Sequence, residues 1–267
     1  MSRFLARTSI KWVIPTLLVV PVLIVATVLT YLSFTTGKRS ADDLAGQNMN
    51  QIHRRIEEHL SQLLDMPPAI GELNKRMLET GEMSLREVDR NRVPVFDILN
   101  IFPAVSSIVI GKATEEVMWV IRYPGETTYE YAIMASPDGR MEEYALDGEG
   151  QITGERLSQY EFKATGRPWY RAAIEADGAT WGSIYVWVRN GKGETLGIPY
   201  VEPCRDADGN VLGVVNTELT LADISSYLGR LEIGKTGKAF IMERDGSLVA
   251  TSEEIACMTK DLKRLPA

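Results

Sequence analysis

The amino-acid sequence predicts an α+β fold in which helices come first and an antiparallel sheet follows. Three observations lead there. Up to about residue 99, apolar residues recur at helical spacing. From Val105 the chain changes to short runs of β-branched and aromatic residues. The connections between those runs are short and rich in Pro, Gly and Asp, which join antiparallel neighbours. No alternation of strand and helix supports a parallel sheet.

The chain has 267 residues, 45% hydrophobic and 24% charged, enough for one full core and a smaller second domain. Its formal net charge of −7 argues against nucleic acid as a partner, because phosphate binding needs a basic surface.

Between Lys11 and Lys38 no charged residue occurs, and residues 12–36 form an apolar stretch long enough to cross a hydrocarbon core of about 30 Å. A cleaved secretory signal is the competing account. It would have a shorter apolar core and a small-residue cleavage site, neither of which is evident. Arg3, Arg7 and Lys11 precede the span without an acid, which favours residues 1–11 in the cytoplasm and the remainder outside. Pro15 and Pro21 lie within it, where a bend is tolerated.

A stalk helix is expected over residues 37–66. Ser40 and Asp43 give a start resembling a capping box, Leu44, Ile52, Ile56, Leu60 and Leu63 form an apolar stripe, and Pro67 with Pro68 is expected to end the helix. Such a stripe must pack on the following domain, on a second copy of the helix, or on both. Both histidines, His53 and His59, fall six apart on different helix faces, so metal ligation is not indicated and a solvated polar face is expected. Ile70, Leu73, Met77 and Leu78 suggest a short helix. Ser84 with Glu87 caps another toward Leu99, which Pro94 should interrupt.

Strands are expected at Val105–Gly111, Glu116–Tyr123, Thr127–Ser136, Met141–Leu146, Ser183–Arg189, Thr195–Glu202 and Val211–Leu219, with a helix over Pro168–Ala176. The acids Glu142, Glu143, Asp147 and Glu149 read as a solvated loop edge. Ile233 to Ala250 suggests a glycine turn and two strands about Asp245 and Gly246.

Gly166-Arg167-Pro168-Trp169-Tyr170 is the most informative run. Arg167 offers a rigid fork of donors for a carboxylate, and Trp169 and Tyr170 offer flat apolar faces with one polar tip each. A buried Arg167 needs a partner, either a ligand anion or an internal acid such as Glu218. Tyr185 and Trp187 share one strand face and either line a pocket or fill the core. Trp119, Tyr129 and Tyr131 pose the same alternative. The two cysteines, Cys204 and Cys257, lie far apart without a CxxC spacing and signal neither zinc nor a disulfide framework. No histidine follows His59, and neither a Gly-x-Ser-x-Gly elbow nor a phosphate-cradling loop is present, so no enzymatic activity and no cofactor or metal is expected of this segment.

The order of span, stalk, strands, Arg-Pro-Trp-Tyr helix start and Gly-Val-Val strand resembles the double Cache sensor domain of bacterial transmembrane receptors. The resemblance covers residues 40–267 and is carried by Gly166 to Tyr170, Asp206 to Glu218, and Gly234, Thr236, Gly237, Ala239 and Phe240 with Asp245 and Gly246. Phe102, Pro103 and Ser107 to Gly111 are similar to sensors of this family that precede class III adenylate or guanylate cyclases. The resemblance implies two PAS-like lobes: a membrane-distal, ligand-binding lobe over residues 67–230 and the start of a membrane-proximal lobe over residues 231–267. A missing continuation would return through the membrane to an output such as a cyclase or kinase. It further implies a periplasmic sensor anchored in the cell inner membrane, a homodimer through the stalk, and a small-molecule ligand, an amino acid or organic acid. Family members that bind amino acids use an arginine and a tryptophan for the carboxylate, and tyrosines with an aspartate for the ammonium group. Arg167, Trp169 and Tyr170 match. Glu218 stands in place of the aspartate and Phe162 in place of an upstream tyrosine, with Tyr160 nearby, and Tyr185 joins the candidates. The alternative is a membrane-tethered interaction module that holds no small ligand.

Overall fold

The computed structural model of the chain describes residues 10–189, 193–233 and 237–253. It divides into two compact units between Arg55 and Ile56. The first is helical. Its described residues lie within α1, which runs from Ile10 to Thr80. The best 18-residue window of this helix has a mean hydropathy of 2.4, and none of it is buried. Leu17, Leu18, Val22 and Leu29 are exposed, as side chains facing lipid would be.

Two expectations about this helix fail. Ser40 does not start a helix, and Pro67 and Pro68 do not stop one. Leu63, Pro67, Ile70, Gly71 and Asn74 are all buried, at the three- and four-residue spacing of one helix face. Tertiary burial of that face outweighs the hydrogen bonds lost at the prolines. Gly71 marks the closest approach: a Cβ there would fall 3.2 Å from the Tyr200 ring, with the Glu202 carboxylate nearer still.

Ser84 does act as a local cap, its hydroxyl accepting the N–H groups of Arg86 and Glu87 at 3.1 and 3.3 Å. A 3₁₀ turn, Val88–Asn91, follows, and then α2, Arg92–Ile101. Pro94 occupies the first turn of α2, where a missing N–H costs nothing, so it does not interrupt the helix.

The second unit is built on one nine-stranded antiparallel sheet. Its strands are β1 (Ser107–Lys112), β2 (Val117–Ile121), β3 (Glu130–Met134), β4 (Met141–Leu146), β5 (Ile152–Tyr160), β6 (Thr180–Trp181), β7 (Tyr185–Arg189), β8 (Gly193–Arg205) and β9 (Val211–Thr220). The order is β5-β4-β3-β2-β1-β9-β8-β6, with β7 also pairing to β8. Helix α3, Pro168–Ala176, precedes β6, and α4, Leu221–Gly229, continues directly from β9. A separate ribbon pairs β10, Phe240–Met242, with β11, Leu248–Thr251. The fold is α+β, as predicted.

The period of two along each strand separates the faces. Ile108, Ile110, Met118, Val120, Tyr131, Val215 and Leu219 turn to the main core with Ile70, Leu99 and Leu228. On the opposite face a smaller cluster joins Val109, Ala132, Met134 and Val201 to Trp169, Tyr170 and Ala173 of α3. His59 is half-buried rather than solvated, stacked on Tyr227 of α4 with ring centroids 3.5 Å apart. Burial and the charge of Arg230 lower its pKa. Strand β5, which the sequence reading lacked, is a largely exposed strand at the edge of the sheet.

Candidate ligand-binding cavity

A cavity of about 360 Å³ opens on the α3 face of the sheet. That volume lies within the range of roughly 300–1,000 Å³ usual for small-molecule sites. Register assembles its walls. Ser107 and Val109 of β1, Trp119 and Ile121 of β2, Glu143 of β4 and Glu218 of β9 line it. One row across the sheet pairs Asn216, Val109, Trp119, Ala132 and Glu143, and the row two residues away pairs Glu218, Ser107 and Ile121, so these side chains share one face. Tyr160, Phe162, Arg167 and Trp169 close one side, and Tyr185 and Trp187 of β7 another.

Arg167 sits at the N-cap of α3 with extended backbone (φ −78°, ψ 149°), and Pro168 in the first turn fixes the helix start. The loop before it is tied down by Glu115, whose carboxylate accepts both the Thr165 hydroxyl and, at 3.2 Å, the Thr165 N–H. Glu115 itself holds a left-handed φ of 79°. The half-buried Arg167 guanidinium lies 5.5 Å from the centre of the Phe162 ring and 6.0 Å from that of Tyr185. No carboxylate among the described residues forms an ion pair with it. The internal Arg167–Glu218 pair weighed from the sequence is therefore not formed. Glu218 instead accepts the Tyr185 hydroxyl and, at 2.8 Å, the Asn216 amide.

Glu218 is 2% exposed, and burial pushes its carboxyl up to about 7, against the lowering effects of the Tyr185 and Asn216 hydrogen bonds and the nearby Arg167 charge. Near neutral pH it is thus poised between its protonated and ionised forms. Tyr185 is raised well above the ordinary phenol value by burial and by the Glu218 charge, so it stays a donor. Among the described residues the Trp187 indole N–H and the Asn216 Oδ1 are buried without a hydrogen bond of good geometry, although the indole lies close enough to Tyr185 and Glu218 to lower the pKa of each. Gly197 gives the indole its room: a Cβ there would overlap Trp187 Nε1.

Five of the six predicted site residues, Phe162, Arg167, Trp169, Tyr185 and Glu218, line the cavity. Tyr170 does not. Consecutive helix positions point about 100° apart, so Trp169 and Tyr170 cannot share one direction. Tyr170 packs into the small cluster, its ring edge-on to Trp169 at 5.5 Å. Trp119 and Trp187 line the cavity, whereas Tyr129 and Tyr131 belong to the main core. Glu143 was misread as a solvated edge: it is 9% exposed, lines the cavity, and accepts the hydroxyls of Ser158 and, at 2.7 Å, Tyr160. Recognising β5 would have found it, since Glu143 pairs with Ser158 in register.

The half-buried Cys204 is a free thiol, pushed up to about 11 by burial and by Glu202. Cys257, Gly234 and Thr236 lie outside the described residues, as do Arg3 and Arg7. Among the described residues no group of three or more His, Cys, Asp or Glu side chains is placed to hold a metal ion.

Residues 120–226 match the sequence model of a family described as methyl-accepting chemotaxis protein-like, first PDC sensor domain. This segment is similar to the first PDC sensor domain of such receptors. The domain runs from β2 to α4 and takes in Glu143, Arg167, Tyr185 and Glu218. Among solved structures the chain is similar to a methyl-accepting chemotaxis protein X, at 15% identity over 83% of this chain and 75% of that one, with a TM-score of 0.43. It is similar to the ligand-binding domain of the Pseudomonas fluorescens chemoreceptor CtaA in complex with L-leucine, at 18% identity over 81% and 76%, TM-score 0.36. A third is that of the Campylobacter jejuni chemoreceptor Tlp3 in complex with L-norvaline, at 11% identity over 62% and 52%, TM-score 0.38. The chain thus spans about half the length of the Tlp3 structure.

Proposed function

We propose that this chain is the extracytoplasmic sensing part of a membrane-anchored receptor, and that its cavity binds a small ligand carrying a carboxylate, an amino acid first among them. One observation carries the reading: the Arg167 guanidinium projects into a cavity between two aromatic rings with no ionic partner among the described residues. A half-buried cation held this way is completed by an anion from outside. Glu218 and the Tyr185 hydroxyl supply acceptors for an ammonium group. Phe162, Trp169 and Trp187 supply the apolar walls.

Anchoring would come from residues 12–36, in the inner membrane, with the PDC domain on the periplasmic side. The exposed Leu44 and Met49 on α1 support pairing of two chains along the helix. Residues 67–230 would act as the membrane-distal lobe, with the β10–β11 ribbon opening the next one.

Ligand capture would draw the α3 N-terminus toward β9, and β9 runs straight into α4. There Asp223 accepts the Thr220 hydroxyl at 2.5 Å and that of Ser106 at 3.2 Å, and Tyr227 stacks on His59 of α1. Ligand shifts this equilibrium only by its difference in affinity for the two states. The test is a thermal-shift screen of the full chain in detergent against amino acids and organic acids. Stabilisation by at least one, lost in Arg167→Ala, is expected. No stabilisation by any carboxylate would favour the ligand-free interaction module instead.

A further inference from the structure

The cavity holds a second carboxylate that a simple zwitterion leaves unanswered. Glu143 lies on β4 and Glu218 on β9, at opposite ends of a lining drawn from the same face of the sheet. Glu143 is nine-tenths buried, and its only partners among the described residues are two neutral hydroxyls, those of Ser158 and Tyr160. Two hydrogen bonds leave acceptor capacity on an ionised carboxylate, which has about four lone-pair sites. No lysine or arginine among the described residues pairs with it.

Trp119 stands in the same register row, two strands from Glu143, and its ring meets Phe162 edge to face at 5.2 Å. A carboxylate beside a tryptophan face and a tyrosine hydroxyl is a site for an organic cation, which takes the charge pair from one side and the π-face from the other. The charge balance points the same way. Among the described residues of the lining Arg167 is the one cation, while Glu143 and Glu218 are two buried acids, with Glu161 exposed at the rim.

We infer that the ligand carries a second cationic group, at the far end of its side chain from the α-amine, and that Glu143 with Trp119 and Tyr160 receives it; the class is a dibasic α-amino acid. This rests on the reading that Arg167 takes a ligand carboxylate. Four strand steps of about 4.8 Å, roughly 19 Å in all, separate β4 from β9, so one amino acid meets both acids only with an extended side chain and with the two glutamate side chains reaching toward each other. An apolar amino acid of the same length fills the cavity but leaves Glu143 desolvated and unpaired, which is where discrimination arises.

The experiment is calorimetric titration of the full chain in nanodiscs with L-lysine and with L-norleucine, which has the same carbon skeleton but no terminal ammonium. The expected result is roughly thirtyfold tighter binding of lysine, the fold-change typical of losing one partner of a buried charge pair. In Glu143→Gln the preference should fall to within about threefold, as lysine loses its partner and norleucine no longer strands a buried charge. That substitution keeps an oxygen to accept one hydroxyl. Should the variant fail to fold, the wild-type ratio decides alone. Equal binding of the two amino acids in the wild type, or an undiminished preference in Glu143→Gln, overturns the inference while leaving the Arg167 reading in place. Absence of binding by lysine, norleucine and every other carboxylate removes both.

Discussion

The Tyr185 hydroxyl donates to the buried Glu218 carboxylate in the wall of the cavity, while Arg167 lies 6.0 Å from the centre of that same tyrosine ring. A donor-bound acid and a cation without an ion pair among the described residues therefore share one aromatic side chain. Were they paired directly, the cavity would need no ligand.

Glu218 should make unliganded stability depend on pH. Its folded value is raised to about 7 from a reference of 4.5, so between those values the folded state binds the extra proton and stability falls as pH rises. Melting temperature is expected to be higher near pH 5 than near pH 8 for the wild type. That difference should shrink in Glu218→Gln, and an unchanged profile in the variant would contradict the assignment.

The same proton links to ligand binding. An ammonium group favours ionised Glu218, so amino-acid affinity should rise by up to about tenfold per pH unit as pH rises toward 7 and then level off. Titration in buffers of different ionisation heat should reveal proton release on binding near neutral pH. No release would mean that the amine does not meet Glu218.

Two glycines make room for the cavity tryptophans. A Cβ at Gly197 would overlap the Trp187 indole, and one at Gly111 would come within 2.7 Å of the Trp169 ring. Gly197→Ala and Gly111→Ala should each destabilise the fold by about 1–3 kcal/mol through overpacking, and Gly197→Ala should also weaken ligand binding. Thermal melts and titrations check this against Gly125→Ala, which meets nothing within 4 Å but sits at φ +77° and so reports strain alone.

Thr165 holds the loop that presents Arg167. Thr165→Val removes the hydroxyl that Glu115 accepts and should weaken ligand binding more than it lowers the melting temperature, because the loop loosens while the core stays packed. Equal affinity in the variant would show that Arg167 is positioned by Pro168 and the helix alone.

Much of the cavity was legible in the sequence because it comes from one local run. Arg167, Pro168 and Trp169 announce a helix start beside an anion donor, and the alternation of Tyr185 with Trp187 gives a shared face. What could not be read depended on partners distant in sequence. Strand β5 carries Gly154, Glu155, Arg156 and Gln159 and so lacks an apolar alternation. It exists because β4 offers an edge, and only that pairing turns Glu143 inward. The helix through Pro67 and Pro68 is likewise set by what its buried face meets, from Ile70 to Asn74. Tyr170 falls outside the lining for a local reason, since neighbouring helix positions point about 100° apart and Trp169 takes the cavity side.

If the Arg167 guanidinium receives a ligand carboxylate, titration of the wild type and Arg167→Ala with the tightest-binding amino acid, and with the amine that lacks only its carboxylate, will show it. Loss of the carboxylate is expected to weaken binding about tenfold or more in the wild type and to make little difference in Arg167→Ala. Equal binding of acid and amine by the wild type would contradict it.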